Sequence, residues 1–214
     1  MRLGIYGGSF DPVHYAHLLL AETCREQAQL DEVWFVPNSL SPLKRSTPPA
    51  SAKHRQEMLL LAIGGNEAFR LCSKEIDRGG VSFTVDTLEE IHAEHPHHEL
   101  FFLLGADSLH DLPLWRSPER ICELALPLVV QRHGSPTPDF TVLDKLLSPE
   151  RMAQAQSMLV HMPLVDLSST DLRQRAAEGR SLRYRTPRAV ERYIETQGLY
   201  RSEPPAMTDR GIRD

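Results

Sequence analysis

Short apolar runs that read as strands alternate with stretches of helical spacing along most of this chain. A parallel sheet with crossover helices is the architecture that satisfies such an alternation. Residues 2–6, 32–36, 70–73, 100–104, 126–131 and 157–162 read as strands. The run at 100–104 is continuously apolar, as a strand covered on both faces should be. Helical spacing predicts helices over 13–28, 52–63, 84–93, 169–178 and 187–196, with a turn at 77–80 and a Pro- and Ser-rich loop over 37–50. The expected fold is α/β: a Rossmann-like, doubly wound parallel sheet with helices on both faces and a small C-terminal helical portion. Residues 1–200 are expected to form a single domain, with 201–214 as a frayed tail.

In sheets of this kind ligands bind beyond the carboxyl ends of the strands, so the segments that follow strands carry the functional information. The first such junction reads Gly7-Gly8-Ser9-Phe10-Asp11-Pro12-Val13-His14-Tyr15-Ala16-His17. Glycines allow the backbone to approach a phosphate closely, and the free N–H groups of the helix start behind them favour anions. His14 and His17 are three residues apart and share one face of that first turn, so two imidazoles can donate into one phosphate group. The junction is neither a Walker A loop nor a GxGxxG fingerprint. An HxxH pair at a helix start can also be a capping arrangement. A zinc site would need further Cys or His at ligand spacing, which this segment lacks. Farther along, Leu167-Ser168-Ser169-Thr170-Asp171-Leu172-Arg173 opens another helix. Ser168 with Asp171 fits an N-terminal cap, and Ser168, Ser169 and Thr170, with Arg173 as a clamp, also suit a polyphosphate.

The first string resembles the (H/T)xGH-type signature of the nucleotidylyltransferase superfamily in its GSFDPxHxxH form, with Ala16 where glycine is usual. The second resembles that superfamily's ISSTxxR segment. Pro42-Leu43-Lys44, Arg55, Ser82-Phe83-Thr84-Val85-Asp86-Thr87-Leu88, Leu104-Gly105-Ala106-Asp107-Ser108-Leu109, Leu114-Trp115-Arg116, Arg132 and Gly198-Leu199-Tyr200 extend the likeness. Together they resemble the bacterial nicotinate-nucleotide adenylyltransferase family over residues 1–200. The resemblance implies transfer of AMP from ATP to nicotinate mononucleotide, with Mg²⁺, by direct in-line displacement without a covalent enzyme intermediate. It further implies that Gly7, Gly8, Ser9, Phe10, His14, His17, Ser168, Ser169, Thr170 and Arg173 hold ATP, with His14, His17 and Arg173 catalytic. Gly105 and Asp107 would line the adenosine or its ribose, and Lys44, Thr84, Trp115 and Arg132 would face nicotinate mononucleotide. Each of these residues also has a plainer role open to it: Trp115 as core, Asp107 and Thr84 as caps, Lys44 as a solvated loop lysine. Nicotinamide mononucleotide or phosphopantetheine as acceptor, or a nucleotide-binding module without catalysis, are the competing readings.

Composition narrows the partners. A net charge of −5 does not predict nucleic-acid or membrane binding, so anionic ligands would depend on a local cluster. The cysteines Cys24, Cys72 and Cys122 are scattered and odd in number, which fits a reducing compartment. With no membrane-length apolar run, this predicts a cytoplasmic protein and leaves homo-oligomerisation open. The stretch His92-Ala93-Glu94-His95-Pro96-His97-His98 joins a helix to a strand away from the expected cleft and is read as structural; no protein-bound metal site is expected.

Overall fold

The computed structural model describes residues 1–40 and 50–201. Their elements run β1 Arg2–Gly8, α1 Tyr15–Gln27, β2 Glu32–Pro37, α2 Ala52–Ile63, β3 Phe69–Leu71, α3 Lys74–Arg78, α4 Thr84–Glu94, β4 Glu99–Gly105 and α5 Ala106–Leu109. Then come α6 Pro118–Leu124, β5 Ala125–Arg132, α7 Pro149–Ser157, β6 Val160–Met162, α8 Ser169–Ala177 and α9 Arg188–Gln197, with short 3-10 turns at Leu112–Leu114 and Phe140–Leu143. The six strands form one sheet in the order β3-β2-β1-β4-β5-β6, every pair parallel. Strand order reverses beside β1. Right-handed crossovers therefore send α1 and α2 to one face and α4 and α6 to the other. The packing of α4 against α6 agrees, and α2 packs with α9. The expected fold class holds.

β4 is covered on both faces, with Leu100 through Leu104 all buried, and fully burying a side chain of this size is worth about 1.5–3 kcal/mol. β1 needs one small residue: a Cβ on Gly4 would lie 2.8 Å from Leu30 Cδ1 and 3.1 Å from Leu103 Cδ1. The buried apolar side chains form one continuous cluster through the sheet and its flanking helices.

Boundaries moved where local bonding outweighed pattern. The first helix starts at Tyr15 rather than residue 13, because His14 is extended (φ −145°, ψ 170°) and serves as the N-cap. The last strand begins at Val160, because Ser157 closes α7 and the Met158 N–H bonds the Gln154 carbonyl. The turn predicted at 77–80 starts inside α3, and only Gly79 and Gly80 take the left-handed conformation. The loop 37–50 and the tail 201–214 lie largely outside the described residues.

Candidate active site

The carboxyl ends of β1, β2, β4 and β5 place Gly8, Pro37, Gly105 and Arg132 along one edge of the sheet. A cavity of about 470 Å³ opens there. Its lining includes Gly7, Gly8 and Ser9 after β1, Gly105 and Asp107 after β4, Arg132 at the end of β5, and Thr84 and Trp115. A volume in that range suits a nucleotide-sized ligand. Arg132 Nη1 lies 3.6 Å from Asp107 Oδ2, a solvent-exposed pair across two strand ends. Trp115 is half-buried, edge-on to Phe102 with centroids 5.5 Å apart, so it is core on one side and cavity wall on the other. Lys44 lies outside the described residues.

The loop that follows β1 is held from behind by donors gathered from the whole chain. The Gly8 carbonyl accepts from the Asn38 N–H at 2.9 Å, and that of Ser9 from Arg55 Nη1 at 3.0 Å. The Asp11 carbonyl accepts from Arg173 Nη1 at 2.7 Å, that of Pro12 from Ser169 Oγ at 2.9 Å, and that of Val13 from Thr186 Oγ1 at 2.7 Å. Carbonyl dipoles repel phosphate, and here each is already engaged by a donor. The Phe10 ring is buried and folds under Gly8, where an added Cβ would come within 3.0 Å of it. Phe10 therefore offers a ligand only its backbone, at φ 47°, and its side chain acts as a plug beneath the loop.

Beneath that plug lies a charged layer. Asp11 is 2% exposed and Arg55 1% exposed. The Tyr200 hydroxyl donates to Asp11 Oδ1 at 2.5 Å, and burial together with that carboxylate pushes the phenol far above its ordinary range, so it stays a donor. Burial lowers the pKa of Arg55, and the Asp11 charge offsets part of that. Asn38 and Thr186 are supporting residues that the sequence does not single out, while Asp11, Arg55 and Tyr200 fall in the motifs that carry the resemblance, with no role assigned to them there.

The two histidines come together as their spacing predicts. Their rings stack with centroids 3.7 Å apart and 20° between planes. The backbone N–H of His14 donates to His17 Nδ1 at 3.2 Å, which leaves Nε2 as the protonated nitrogen of the neutral His17 ring. The His17 ring also stands edge-on to Phe10 at 5.2 Å. His14 is 4% exposed, and burial lowers its pKa to about 4, so this ring is uncharged at neutral pH. In α8, Ser168 Oγ accepts from the Asp171 N–H at 3.1 Å, so the capping role is real. Arg173 also contacts Thr170 Oγ1 at 3.2 Å. Ser169 and Arg173 thus tie the α8 start to the β1 loop, while Ser168 and Thr170 are exposed beside it.

Among the described residues no group of three or more His, Cys, Asp or Glu side chains could hold a metal ion. His95 and His98 stack on each other, and His95 meets Trp34 edge-on. Nor does any helix among them have the length and apolarity to cross a membrane.

Residues 5–175 match the family model described as cytidylyltransferase-like. A probable nicotinate-nucleotide adenylyltransferase of Thermomicrobium roseum is 42% identical over 98% of this chain and 97% of the relative. One from Thermus thermophilus is 43% identical over 94% of this chain and 100% of its own length. In fold, the chain resembles a Plasmodium falciparum nicotinic acid mononucleotide adenylyltransferase complexed with NaAD. The TM-score is 0.70 at 21% identity, covering 93% of this chain and 97% of that one.

Proposed function

The chain belongs to the cytidylyltransferase-like family, and on that premise we propose that it transfers the AMP unit of ATP to nicotinate mononucleotide, giving nicotinate adenine dinucleotide and pyrophosphate. The observation that carries this reading is one cavity lined both by the glycine-rich loop after β1 and by Thr84, at the start of α4, and Trp115. α4 has Phe83 at its N-cap, whose side chain makes no bond to the first turn. The first-turn N–H groups, which have no partner within the helix, and the positive dipole end therefore suit the ring carboxylate of the acceptor.

In the reaction a 5′-phosphate oxygen of the acceptor attacks the α-phosphorus of ATP, and the bond to the bridging oxygen of pyrophosphate breaks. Such a displacement needs alignment and neutralisation of charge more than a nucleophile on the protein. The backbone of Gly7 to Ser9 and the exposed hydroxyls of Ser168 and Thr170 would cradle the triphosphate. Arg173 keeps donors beyond those spent on Asp11 and Thr170, and would clamp phosphate oxygens with them. His17 Nε2–H would donate to the bridging oxygen as it gains charge. With His14 neutral and buried, its part is to stack on His17 and set that ring's orientation. Gly105 and Asp107 would take the adenosine side, and Thr84, Trp115, Arg132 and Lys44 the pyridine nucleotide. Mg²⁺ would arrive with ATP, held by phosphate oxygens and water rather than by a carboxylate cage, and would neutralise phosphate charge. Buried free thiols at Cys24, Cys72 and Cys122 accord with work in a reducing cytoplasm.

A panel of acceptors tests the assignment. Nicotinate mononucleotide should exceed nicotinamide mononucleotide in kcat/KM by roughly 5- to 150-fold, because an amide NH₂ facing N–H donors leaves an unpaired polar contact costing about 1–3 kcal/mol. Phosphopantetheine should release no pyrophosphate. Equal specificity constants for the acid and the amide would sink the reading.

Trp115→Ala should raise the KM for the acceptor about 2- to 13-fold, the equivalent of 0.5–1.5 kcal/mol of aromatic stacking. The KM for ATP should stay near that of the parent. A variant that melts earlier with acceptor KM unchanged would leave Trp115 with its packing against Phe102 and nothing more.

A further inference from the structure

Behind the start of α4 lies a buried carboxyl group that the reaction does not use. Glu75, on the short helix α3, is 7% exposed and lies at the inner wall of the cavity that also holds Thr84 and Trp115. Its Oε1 accepts from the Thr87 hydroxyl at 2.8 Å, and the Ser82 hydroxyl also bonds the carboxyl group. Ser82 in turn accepts from the Ser39 N–H at 2.9 Å, and its own N–H bonds the Leu40 carbonyl at 2.9 Å. Thr87 accepts from Arg78 Nη2 at 3.0 Å.

The chain of bonds therefore runs from the exit of β2, through Ser82 and Glu75, to the first turns of α4. Leu40 and Val81 add a parallel β-bridge between the same two segments. Ser82 and Thr87 are themselves buried, so neither can exchange its bond for one to water. Loops that carry function are ordinarily positioned by a rigid scaffold. Here the scaffold of the α4 start is one carboxyl group accepting from hydroxyls on both sides of Thr84.

We infer that Glu75 is the positioning residue that aims the backbone N–H groups of the α4 start at the acceptor's ring carboxylate, and that it thereby sets the preference for an acid over an amide. The inference rests on the acceptor assigned above. Charge places a condition on it. An ionised Glu75 facing a bound carboxylate would oppose binding, and the group is arranged to limit that. Burial raises its pKa; the Thr87 and Ser82 hydroxyls and Arg78 act the other way on the pKa, but they offset whatever charge the carboxyl group carries, and Arg78 has a further partner in Glu90 at 2.5 Å. What the site uses is the shape that Glu75 holds, not its charge.

The experiment compares Glu75→Ala with Glu75→Gln, measuring KM and kcat for nicotinate mononucleotide, nicotinamide mononucleotide and ATP. Glu75→Ala should raise the KM for the acid about 10-fold or more, since small misplacements of binding groups have large effects. The acid-to-amide ratio should fall toward one, with the KM for ATP near the parent. Glu75→Gln retains an acceptor of the same shape and should keep the ratio within about threefold of the parent. Thr87→Val removes one donor to the carboxyl group at nearly constant volume and should shift the ratio in the same direction as Glu75→Ala. It keeps the inference testable should Glu75→Ala not fold. A lowered melting temperature with an unchanged ratio would overturn the positioning role, and so would equal losses in the Gln and Ala variants. If the parent enzyme itself fails to use nicotinate mononucleotide, it is the proposed function that falls.

Discussion

His17→Ala is expected to lower the maximal rate by about 10²–10³-fold with a much smaller change in the KM for ATP, because a preorganised donor aimed at developing charge is worth about 2.7–4 kcal/mol. The ring is unusually well fixed for this. Its Nδ1 is held by the His14 N–H, one face stacks on His14, and Phe10 stands edge-on to it. These contacts leave Nε2 as the donor in a single orientation, and an orientation already set needs no reorganisation as the bond to pyrophosphate breaks. In the ground state phosphate oxygens have other partners, so one imidazole adds little to binding; in the transition state it adds most. Steady-state kinetics after a check of folding by circular dichroism would decide. A rate within about threefold of the parent would place the donor elsewhere, with His14 and Lys44 next to be tested.

Arg55→Leu is expected to destabilise the protein by about 1–3 kcal/mol, since the Ser9 carbonyl loses its donor and the buried Asp11 loses the positive charge near it. In a chain of this size that corresponds to roughly 2–12 °C in melting temperature. Asp11 would then keep its buried carboxylate with the Tyr200 hydroxyl still donating to it, and the Ser9 carbonyl would lose the donor that turns it from the cleft. The double variant Arg55→Leu with Asp11→Asn should recover part of the loss, because the two residues are coupled and their effects will not add. Thermal melts of the parent, both single variants and the double variant form the cycle. A melting temperature for Arg55→Leu indistinguishable from that of the parent would show that Arg55 contributes no stability.

The sequence made the sheet legible wherever burial is one-sided or complete over several residues. The apolar run now seen as β4 is unmistakable because every residue from Leu100 to Leu104 is covered. The glycine-rich exit of β1 and the strand-end residues Gly105 and Asp107 were legible because the topology dictates where a ligand sits, and Thr84, Trp115 and Arg132 line the same cavity. Phe10 shows the limit. Its place in the motif suggests contact with nucleotide, whereas its side chain is a plug, and only the fold of the loop tells the two apart. α6 and α7 lie in stretches of mixed polarity whose short apolar faces carry little periodic signal. What Arg55, Thr186 and Tyr200 do was illegible for a different reason, although Arg55 and Tyr200 stand among the residues that carry the resemblance. Each acts on a loop 46, 173 or 189 positions away, and nothing in local spacing encodes such a partner.

That long reach also orders the events of synthesis. The loop at residues 8–13 leaves the ribosome soon before Asn38 and Arg55, but long before Ser169, Arg173, Thr186 and Tyr200, the other groups that engage its carbonyls and its carboxylate. At about 5–20 residues per second, roughly 10–40 s separate His14 from Tyr200. Through that interval the nascent chain has its glycines and histidines but lacks Ser169, Arg173, Thr186 and Tyr200, so the backbone around Asp11 is without most of its clamps. Nucleotide capture is thereby tied to completion of the fold: a half-made chain displays the signature without the geometry that would let it bind.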